Sequence, residues 1–364
     1  MFRSLRIKNL RLFSDLEIGQ LKRINLLAGK NNSGKTTVLE AMFLLAGGET
    51  PHLPLRIKDI RGAGHQRGTA PMTYWNPLFH GLDMRRPIEI SSEHASHGDL
   101  ALTISLEPQD TFDFPNARRF EALHADQGVI DEVEQPPLLA PGEELADPWA
   151  LALKWIGRGK NELGRMHVMS RSYTRTTKEL DIPGHAVFVS RSSGSIEEDA
   201  VRLGQLRALK QGDLLTEALR RVEPRLKSVE DISASGTPMI WADVGLRELA
   251  PLSAMGEGMT RVARIVLAMS SVRGGAVLVD EIESGIHHSI LGKVWAVVAA
   301  SAQQFDVQVF ATTHSFECVV AAHEALNDEW RFHRLERTDD GSSRCVTFDT
   351  EDVEAVVRHG LEVR

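Results

Sequence analysis

Eight residues near the start of the chain have the types and spacing of a phosphate-binding loop. The segment fits the pattern GxxxxGK[ST] and reads Gly29-Lys30-Asn31-Asn32-Ser33-Gly34-Lys35-Thr36, with Thr37 directly after it. Glycines let backbone N–H groups curl around phosphate oxygens, and the start of a helix favours the same anion. Lys35 is placed to meet the β and γ oxygens of a nucleotide, and Thr36 to ligate Mg²⁺. Residues 29–37 are therefore predicted to bind ATP with Mg²⁺.

Two acidic residues follow a short apolar stretch much later in the chain, in Ala276-Val277-Leu278-Val279-Asp280-Glu281. The apolar residues predict a buried strand, and carboxylates at its end avoid the cost of burial by facing a cleft. Asp280 is expected to hold Mg²⁺, mostly through water, and Glu281 to polarise an attacking water as general base. The alternative is an ordinary solvated strand end.

A histidine ends a second apolar stretch, Phe310-Ala311-Thr312-Thr313-His314-Ser315. A lone histidine is more often structural than catalytic. This one, however, follows the acidic strand after a single predicted crossover helix, so it falls at the same edge of a parallel sheet. We predict that His314 acts beside Glu281, either contacting the γ-phosphate or holding the attacking water.

Small residues precede an apolar helix in Leu252-Ser253-Ala254-Met255-Gly256-Glu257-Gly258-Met259-Thr260-Arg261. Helix N-termini of this kind bind phosphate, but they also occur as ordinary N-caps. Residues 252–261 by themselves favour neither phosphate binding nor an ordinary N-cap.

The hydrophobic pattern predicts the elements that position these candidates. Residues 1–28 predict three short strands, of which the third runs into the phosphate-binding loop, and residues 88–106 predict a hairpin that extends the first sheet. Helical spacing is found at 37–46, 196–227 (two helices), 258–271 and 289–302, and short apolar strands at 276–279 and 307–311. Apolar strands between helices indicate a parallel sheet covered on both faces.

The length of 364 residues allows one large domain or a core with an inserted lobe. We predict an α/β core formed by residues 1–110 and 236–364, interrupted by a loop-rich and helical lobe at residues 111–235. Residues 108–148 are rich in proline and acidic residues, which predicts a solvated excursion without chemistry.

Composition limits the location and the partners. The formal net charge is −8, so DNA contact would need a local basic patch. The two cysteines are too few for a disulfide scaffold and lack the spacing of a zinc site. The sequence shows neither a secretory signal nor an apolar stretch of membrane-span length, so we expect a cytoplasmic protein without a membrane partner.

The order of the motifs resembles the ABC-type ATPases of the SMC, RecF and OLD group. Stand-alone AAA-type ATP-binding proteins related to OLD nucleases are the most similar, through the phosphate-binding loop, Asp280-Glu281-Ile282-Glu283-Ser284-Gly285-Ile286-His287 and Gln308-Val309-Phe310-Ala311-Thr312-Thr313-His314-Ser315. The resemblance implies an ABC-type P-loop NTPase head, with a mixed or parallel sheet flanked by helices and an inserted helical lobe. It also implies ATP hydrolysis in a head-to-tail homodimer.

The same resemblance implies roles for individual residues. Glu281 would be the catalytic base, His314 the switch histidine, and residues 283–287 the loop that crosses the dimer interface. The residues that would close over ATP bound at Lys35 of the other subunit are Ser253, Gly256, Glu257 and Gly258. Because this stretch is not a clean LSGGQ, the residue that contacts ATP stays open.

Three functions are compatible with these motifs. OLD-type nucleases carry a C-terminal Toprim domain, and the roughly fifty residues after His314 leave no room for one. We therefore expect an ATPase regulator of a separate nuclease or effector, in anti-phage defence or DNA maintenance.

The second hypothesis is a RecF-like, ATP-gated DNA clamp. Its contact surface would be the basic positions Arg202, Arg207, Lys210, Arg220, Arg221, Arg225 and Lys227, although such residues are more often simply solvated. The third, a nucleotide-binding subunit of a transporter, is disfavoured by the long insertion between the two phosphate-site motifs.

Overall fold

The computed structural model describes residues 1–47, 54, 57, 75–108, 118–120, 132–133, 149–157, 162–168, 172–175, 186–190, 195–234, 236–326, 328–338 and 341–358. The prediction of a solvated excursion at 108–148 therefore lies outside the described residues, except at Pro108, 118–120 and 132–133.

The first sheet is antiparallel throughout its described strands. These are β1 (Leu5–Leu10), β2 (Phe13–Ile18), β4 (Ile88–His94), β5 (Gly98–Pro108), β6 (Arg118–Phe120), β7 (Glu132–Val133), β8 (Trp149–Ile156), β9 (Glu162–Val168) and β10 (Ser172–Arg175). Their order is β2-β1-β4-β5-β8-β9-β10-β6-β7. The predicted hairpin is present as β4 and β5, and β4 pairs with β1, so the hairpin does extend the first sheet.

The second sheet carries the chemistry-bearing segments. Its strands are β3 (Ile24–Ala28), β11 (Ala186–Val189), β15 (Ala276–Val279), β16 (Gln308–Thr312), β17 (Trp330–Arg337) and β18 (Ser343–Phe348), in the order β11-β15-β16-β3-β17-β18. All neighbours are parallel except β17 and β18. Every residue of β3, β15 and β16 is buried, including the polar residues Asn25, Gln308 and Thr312. The phosphate-binding loop leaves the sheet beside β16, which leads to the histidine, and one strand away from β15, which leads to the acidic pair.

Helices cover both faces of the second sheet, which confirms the predicted architecture. They are α1 (Lys35–Ala46), α2 (Ile196–Ala208), α3 (Asp213–Val222), α4 (Glu257–Ser271), α5 (Leu291–Gln304), α6 (Phe316–Ala325) and α7 (Thr350–Arg358). Short 3-10 turns span Asn76–Leu78, His80–Leu82, Leu252–Met255 and His288–Ile290. Helix α1 lies between the two sheets and is buried from Thr37 to Ala46, which explains why it is mostly apolar, and its buried Glu40 pairs with Arg11. Helices α4 and α5 pack on the opposite face.

A third, small sheet accompanies helices α2 and α3. It is antiparallel and consists of β12 (Ser228–Ala234), β13 (Thr237–Asp243) and β14 (Ala250–Pro251). Leu203 and Leu206 of α2 join Val229 and Ile240 of these strands in one apolar cluster. The two helices predicted between 196 and 227 are therefore present, and they pack on strands that the hydrophobic pattern had not indicated.

Part of the segment expected to form the inserted lobe belongs to the two large sheets. β8 and β9 continue the first sheet from β5, and β11 lies beside β15 at the edge of the second. The apolar stretches at 149–156 and 186–189 form strands by pairing with β5 and β15, which are distant from them in the sequence. No local signal in the two stretches identifies those partners. The domain boundaries at 110 and 236 remain a prediction.

His333, in the middle of β17, makes folding sensitive to acid. Its side chain is fully buried, with Nδ1 3.0 Å from Thr347 Oγ1 and Nε2 without a hydrogen-bond partner among the described residues. Burial, with the charge of Arg331 as a smaller cause, lowers its pKa to about 3. An unfolded chain has an ordinary histidine pKa of about 6.5. The contribution of neutral His333 to the free energy of unfolding is therefore complete above about pH 6.5 and is lost as the pH falls towards 3.

We expect His333→Gln to remove this acid sensitivity. The loss of unfolding free energy between pH 7 and pH 5 should shrink by about 2 kcal/mol relative to wild type, because the neutral amide binds no proton. Urea denaturation at the two pH values measures the difference. His288→Gln, which changes an exposed histidine, is the control and should keep the wild-type difference. An unchanged difference in His333→Gln would show that this histidine does not carry the effect.

Candidate nucleotide-binding site

The predicted phosphate-binding loop joins β3 to α1, and its shape depends on two glycines. Gly29 has φ 147°, and a Cβ there would lie 2.4 Å from the carbonyl oxygen of Leu335 in β17. Gly34 has φ 98°, and a Cβ there would lie 2.3 Å from Cζ of Phe13. L residues with a side chain rarely adopt such angles, so both the backbone conformation and the available space require glycine. The contact with Leu335 could not be foreseen, because β17 follows the loop by 300 residues.

Lys35 is folded back onto the loop. Its Nζ donates to the carbonyl oxygen of Gly29 at 2.7 Å and to that of Lys30 at 3.0 Å. Burial lowers the pKa of Lys35, while the nearby carboxylates of Asp280, Glu281 and Glu283 act in the opposite direction. The ammonium group is thus held inside the loop, where phosphate oxygens could replace the two carbonyls as its partners.

Thr36 and Asp280, the two predicted ligands of Mg²⁺, lie side by side. Thr36 Oγ1 is 3.2 Å from Oδ1 and 3.1 Å from Oδ2 of Asp280. Neighbouring ligands of an octahedral magnesium ion are about 3 Å apart, so a hydroxyl and a carboxylate in this arrangement fit such an ion. The described residues contain no group of three or more His, Cys, Asp or Glu side chains that could hold a metal by themselves. Phosphate oxygens and water would therefore complete the coordination.

Thr312 is a site residue for which no role was predicted. Its hydroxyl donates to Asp280 Oδ1 at 2.6 Å and accepts the backbone N–H of Glu281 at 2.8 Å. Because β16 runs parallel beside β15, the last residue of one strand reaches the acidic pair at the end of the other. A threonine ending an apolar strand was the available signal, but only the pairing of the strands gives it this function.

Glu281 and His314 meet at the same edge of the sheet, as their positions after neighbouring strands predicted. Glu281 has φ 49°, an unusual conformation for a residue with a side chain, and its side chain is 46% exposed. His314 Nδ1 lies 3.9 Å from Glu281 Oε1. Functional residues are often held in such backbone conformations. Here the N–H of Glu281 donates to Thr312 Oγ1 and its carbonyl accepts from the N–H of Ser284.

Arg261, the last residue of the small-residue stretch, fixes the backbone behind Glu281. It is buried and donates from its guanidinium to the carbonyl oxygens of Ser190 and Asp280, both at 2.6 Å. Burial lowers the pKa of Arg261, and Asp280 and Glu281 act against that shift. The arginine therefore ties α4 directly to the end of the acidic strand, a link that its place in the sequence did not suggest.

The stretch before α4 forms a 3-10 turn and then the first turn of the helix. Ser253, Gly256 and Glu257 are exposed, and Gly256 at φ 101° precedes α4 without a side-chain cap hydrogen bond. Glycine is itself a common N-cap residue, so the interpretation as an ordinary N-cap stands beside that of a phosphate-binding helix start. Gly258 lies against the carbonyl of Gly285, and a Cβ on Gly285 would lie 2.6 Å from the carboxyl carbon of Glu257. The start of α4 thus packs against the loop that follows Glu281.

Much of the proposed DNA-contact surface is engaged within the chain. Arg202 pairs with Glu198, and Arg207 with Glu230 and Asp231. Arg220 donates to the carbonyls of Leu226 and Lys227, and Arg225 pairs with Glu223. Three of these arginines pair with carboxylates and the fourth, Arg220, is held by main-chain carbonyls, so their guanidinium groups are less available to phosphates and this geometry does not favour a clamp on DNA.

Among the described residues, none of the helices is both long enough and apolar enough to cross a membrane.

Comparisons with known proteins agree with this geometry. A family model described as "AAA domain, putative AbiEii toxin, Type IV TA system" matches residues 24–319. An "ATP/GTP phosphatase" of Helicobacter pylori (strain ATCC 700392 / 26695) is 22% identical over 354 residues, covering 90% of this chain and 89% of the relative. The crystal structure of an SmcHead bound to the C-winged helix domain of ScpA has a TM-score of 0.51 at 13% identity, covering 96% and 98% of the two chains. The expected head fold is thereby confirmed.

Proposed function

This chain belongs to the AAA domain family with the description putative AbiEii toxin, Type IV TA system, and is an ABC-type ATPase; from that premise we propose that ATP closes two copies of it head to tail. The proposal rests on the groups that the fold brings together at the site. The phosphate-binding loop, the acidic pair and the histidine converge at one sheet edge, while the start of α4 is exposed beside the following loop. A helix start without a side-chain cap hydrogen bond is suited to a phosphate bound in the second copy.

Each residue of the site has a proposed role in hydrolysis. Bound Mg²⁺, held by Thr36 and Asp280, would neutralise charge on the β- and γ-phosphates. Lys35 would bind the same phosphates in place of the loop carbonyls. Glu281 would accept the proton of the attacking water, and His314 would hold that water or contact the γ-phosphate.

The residues of the second copy would complete the site. Ser253, Gly256, Glu257 and Gly258 would approach the γ-phosphate from the partner, and residues 283–287 would cross the interface. Hydrolysis then requires two copies, so turnover reports assembly. We propose that a separate nuclease or other effector reads this signal in the cytoplasm, in phage defence or DNA maintenance, because the site itself offers only phosphate chemistry.

Complementation between two inactive variants tests the head-to-tail arrangement. Lys35→Met removes the phosphate-binding ammonium of one site, and Ser253→Arg places a bulky side chain on the exposed surface offered to the other site. Each variant alone should lose ATP turnover. An equal mixture should recover roughly a quarter of wild-type activity, because half of the dimers are mixed and each of those has one intact site.

Lys22→Met, which changes an exposed lysine before β3, is the matched control and should keep full activity. Mass in solution with and without ATP gives an independent measurement of dimerisation. No recovery in the mixture, together with a monomeric mass in ATP, would contradict the head-to-tail proposal.

A further inference from the structure

We infer that Glu283 is a positioning residue for His314, because one oxygen of its carboxylate holds both the backbone and the ring of that histidine. The inference rests on the proposed function of His314 in hydrolysis. It adds a residue to the reaction that neither the motif pattern nor the predicted interface role of residues 283–287 assigns.

Both contacts converge on Oε1 of Glu283. This oxygen accepts the backbone N–H of His314 at 2.9 Å and lies 3.1 Å from its Nδ1. The side chain of Glu283 is only 10% exposed, whereas that of His314 is 55% exposed. The largely buried carboxylate of Glu283 therefore holds the Nδ1 side of the His314 ring, while the rest of the ring is exposed and accessible to a ligand.

The contact also bears on which ring nitrogen carries the hydrogen. A carboxylate has no hydrogen to donate, so its 3.1 Å contact with Nδ1 of His314 favours the ring form that carries a hydrogen on that nitrogen. Nδ1 is also the ring nitrogen that approaches Glu281 Oε1, at 3.9 Å. Without Glu283 either nitrogen could carry the proton, and the ring could rotate about its bond to the backbone.

The loop fixes Glu283 relative to the catalytic base. The N–H of Ser284 donates to the carbonyl of Glu281 at 2.9 Å, and that of Ile286 to the carbonyl of Glu283 at 3.0 Å. The N–H of Ile282 donates to the carbonyl of Thr312 at 3.1 Å. These bonds hold the base, the anchor and the end of β16 as one rigid unit, so the anchor can set the distance between His314 and Glu281.

Oε2 of Glu283 has no hydrogen-bond partner among the described residues. Burying a carboxylate oxygen without a partner destabilises the fold. A chain that needed only to fill this position would be better served by an apolar or neutral side chain. The presence of a carboxylate at this position is accounted for by what its other oxygen does for His314.

A double-mutant cycle on ATP turnover tests the inference, with Glu283→Ala, His314→Ala and the double variant of the full chain. Glu283→Ala should lower kcat roughly 10-fold to 100-fold, since a misplaced catalytic group costs that much, with little change in KM. In the His314→Ala background the same substitution should cause no further loss. Glu317→Ala, which removes an exposed carboxylate three residues after His314, is the matched control and should keep wild-type kcat.

A spectroscopic measurement separates positioning from a general structural role. In protein labelled with ¹⁵N-histidine, His314 should show a protonated Nδ1, and Glu283→Ala should lose that preference while the melting temperature shows a folded chain. Glu283→Gln, which keeps an accepting oxygen of similar size, should restore part of the activity.

The outcomes distinguish the inference from the proposed function. If His314→Ala lowers turnover but Glu283→Ala does not, or if their losses multiply, the inference is overturned and the function of His314 stands. If His314→Ala keeps wild-type turnover, the proposed function of His314 fails and the inference fails with it.

Discussion

We expect Glu281→Gln to lower ATP turnover by about 10²-fold to 10⁴-fold, the range expected when a general base is removed. The amide is the same size as the carboxylate but cannot accept the proton of the attacking water at neutral pH. The backbone at Glu281 is held by Thr312 and Arg261 through main-chain atoms, so the fold should be unaffected. ATP should therefore still bind, and the variant should accumulate as an ATP-bound dimer.

Steady-state turnover, nucleotide affinity and mass in solution, measured on the same preparation, check this prediction. Glu324→Gln, a change of the same kind at an exposed position in α6, is the control and should hydrolyse ATP at the wild-type rate. Retained turnover in Glu281→Gln would show that another group accepts the proton. Lost turnover without a dimer would separate the base from the proposed assembly.

Gly34→Ala should reduce ATP affinity by at least about 100-fold, which corresponds to about 2.7 kcal/mol. The new Cβ would meet the ring of Phe13 at 2.3 Å and Leu12 at 2.8 Å, and the residue would be forced to keep φ 98°. An alanine in the left-handed region costs roughly 1–2 kcal/mol before any clash. The loop must therefore change shape, and its N–H groups no longer converge on the phosphates.

Nucleotide titration and thermal melting of Gly34→Ala measure both consequences, and Gly19→Ala provides the comparison. At Gly19 an added Cβ meets nothing within 4 Å, so ATP affinity should stay at the wild-type value. Wild-type affinity in Gly34→Ala would mean that the nucleotide binds without the loop conformation described above.

Local patterns in the sequence predicted most of the elements that form the site. The strand at 276–279 was predicted with its observed bounds, and the strand at 307–311 lies one residue from its observed position. Both predictions succeed because short apolar stretches between helices have few other stable arrangements in a parallel sheet. Beyond His314, helices α6 and α7 and strands β17 and β18 were not predicted.

Distant pairing explains the elements and contacts that sequence analysis did not provide. β11 joins β15 across almost ninety residues of chain, and β8 extends the first sheet, although both lie in the expected lobe. Whether an apolar segment adds to one sheet or another depends on which edge is free, and the segment itself does not encode that edge. The packing of α2 on α4 through Asp199 and Arg264 likewise joins residues that are distant in the sequence.

Residue types and spacing alone were enough to predict the chemistry: a loop with Gly29 and Gly34 for phosphate, a strand that ends in Asp280 and Glu281, and a histidine after the next strand. These signals are local, because each depends on residue types within a few positions of one another. The groups that hold these residues in place became apparent only from the folded chain. Thr312 and Glu283 acquire their contacts from a neighbouring strand and its loop, since side chains thirty residues apart become partners only when parallel strands align their ends.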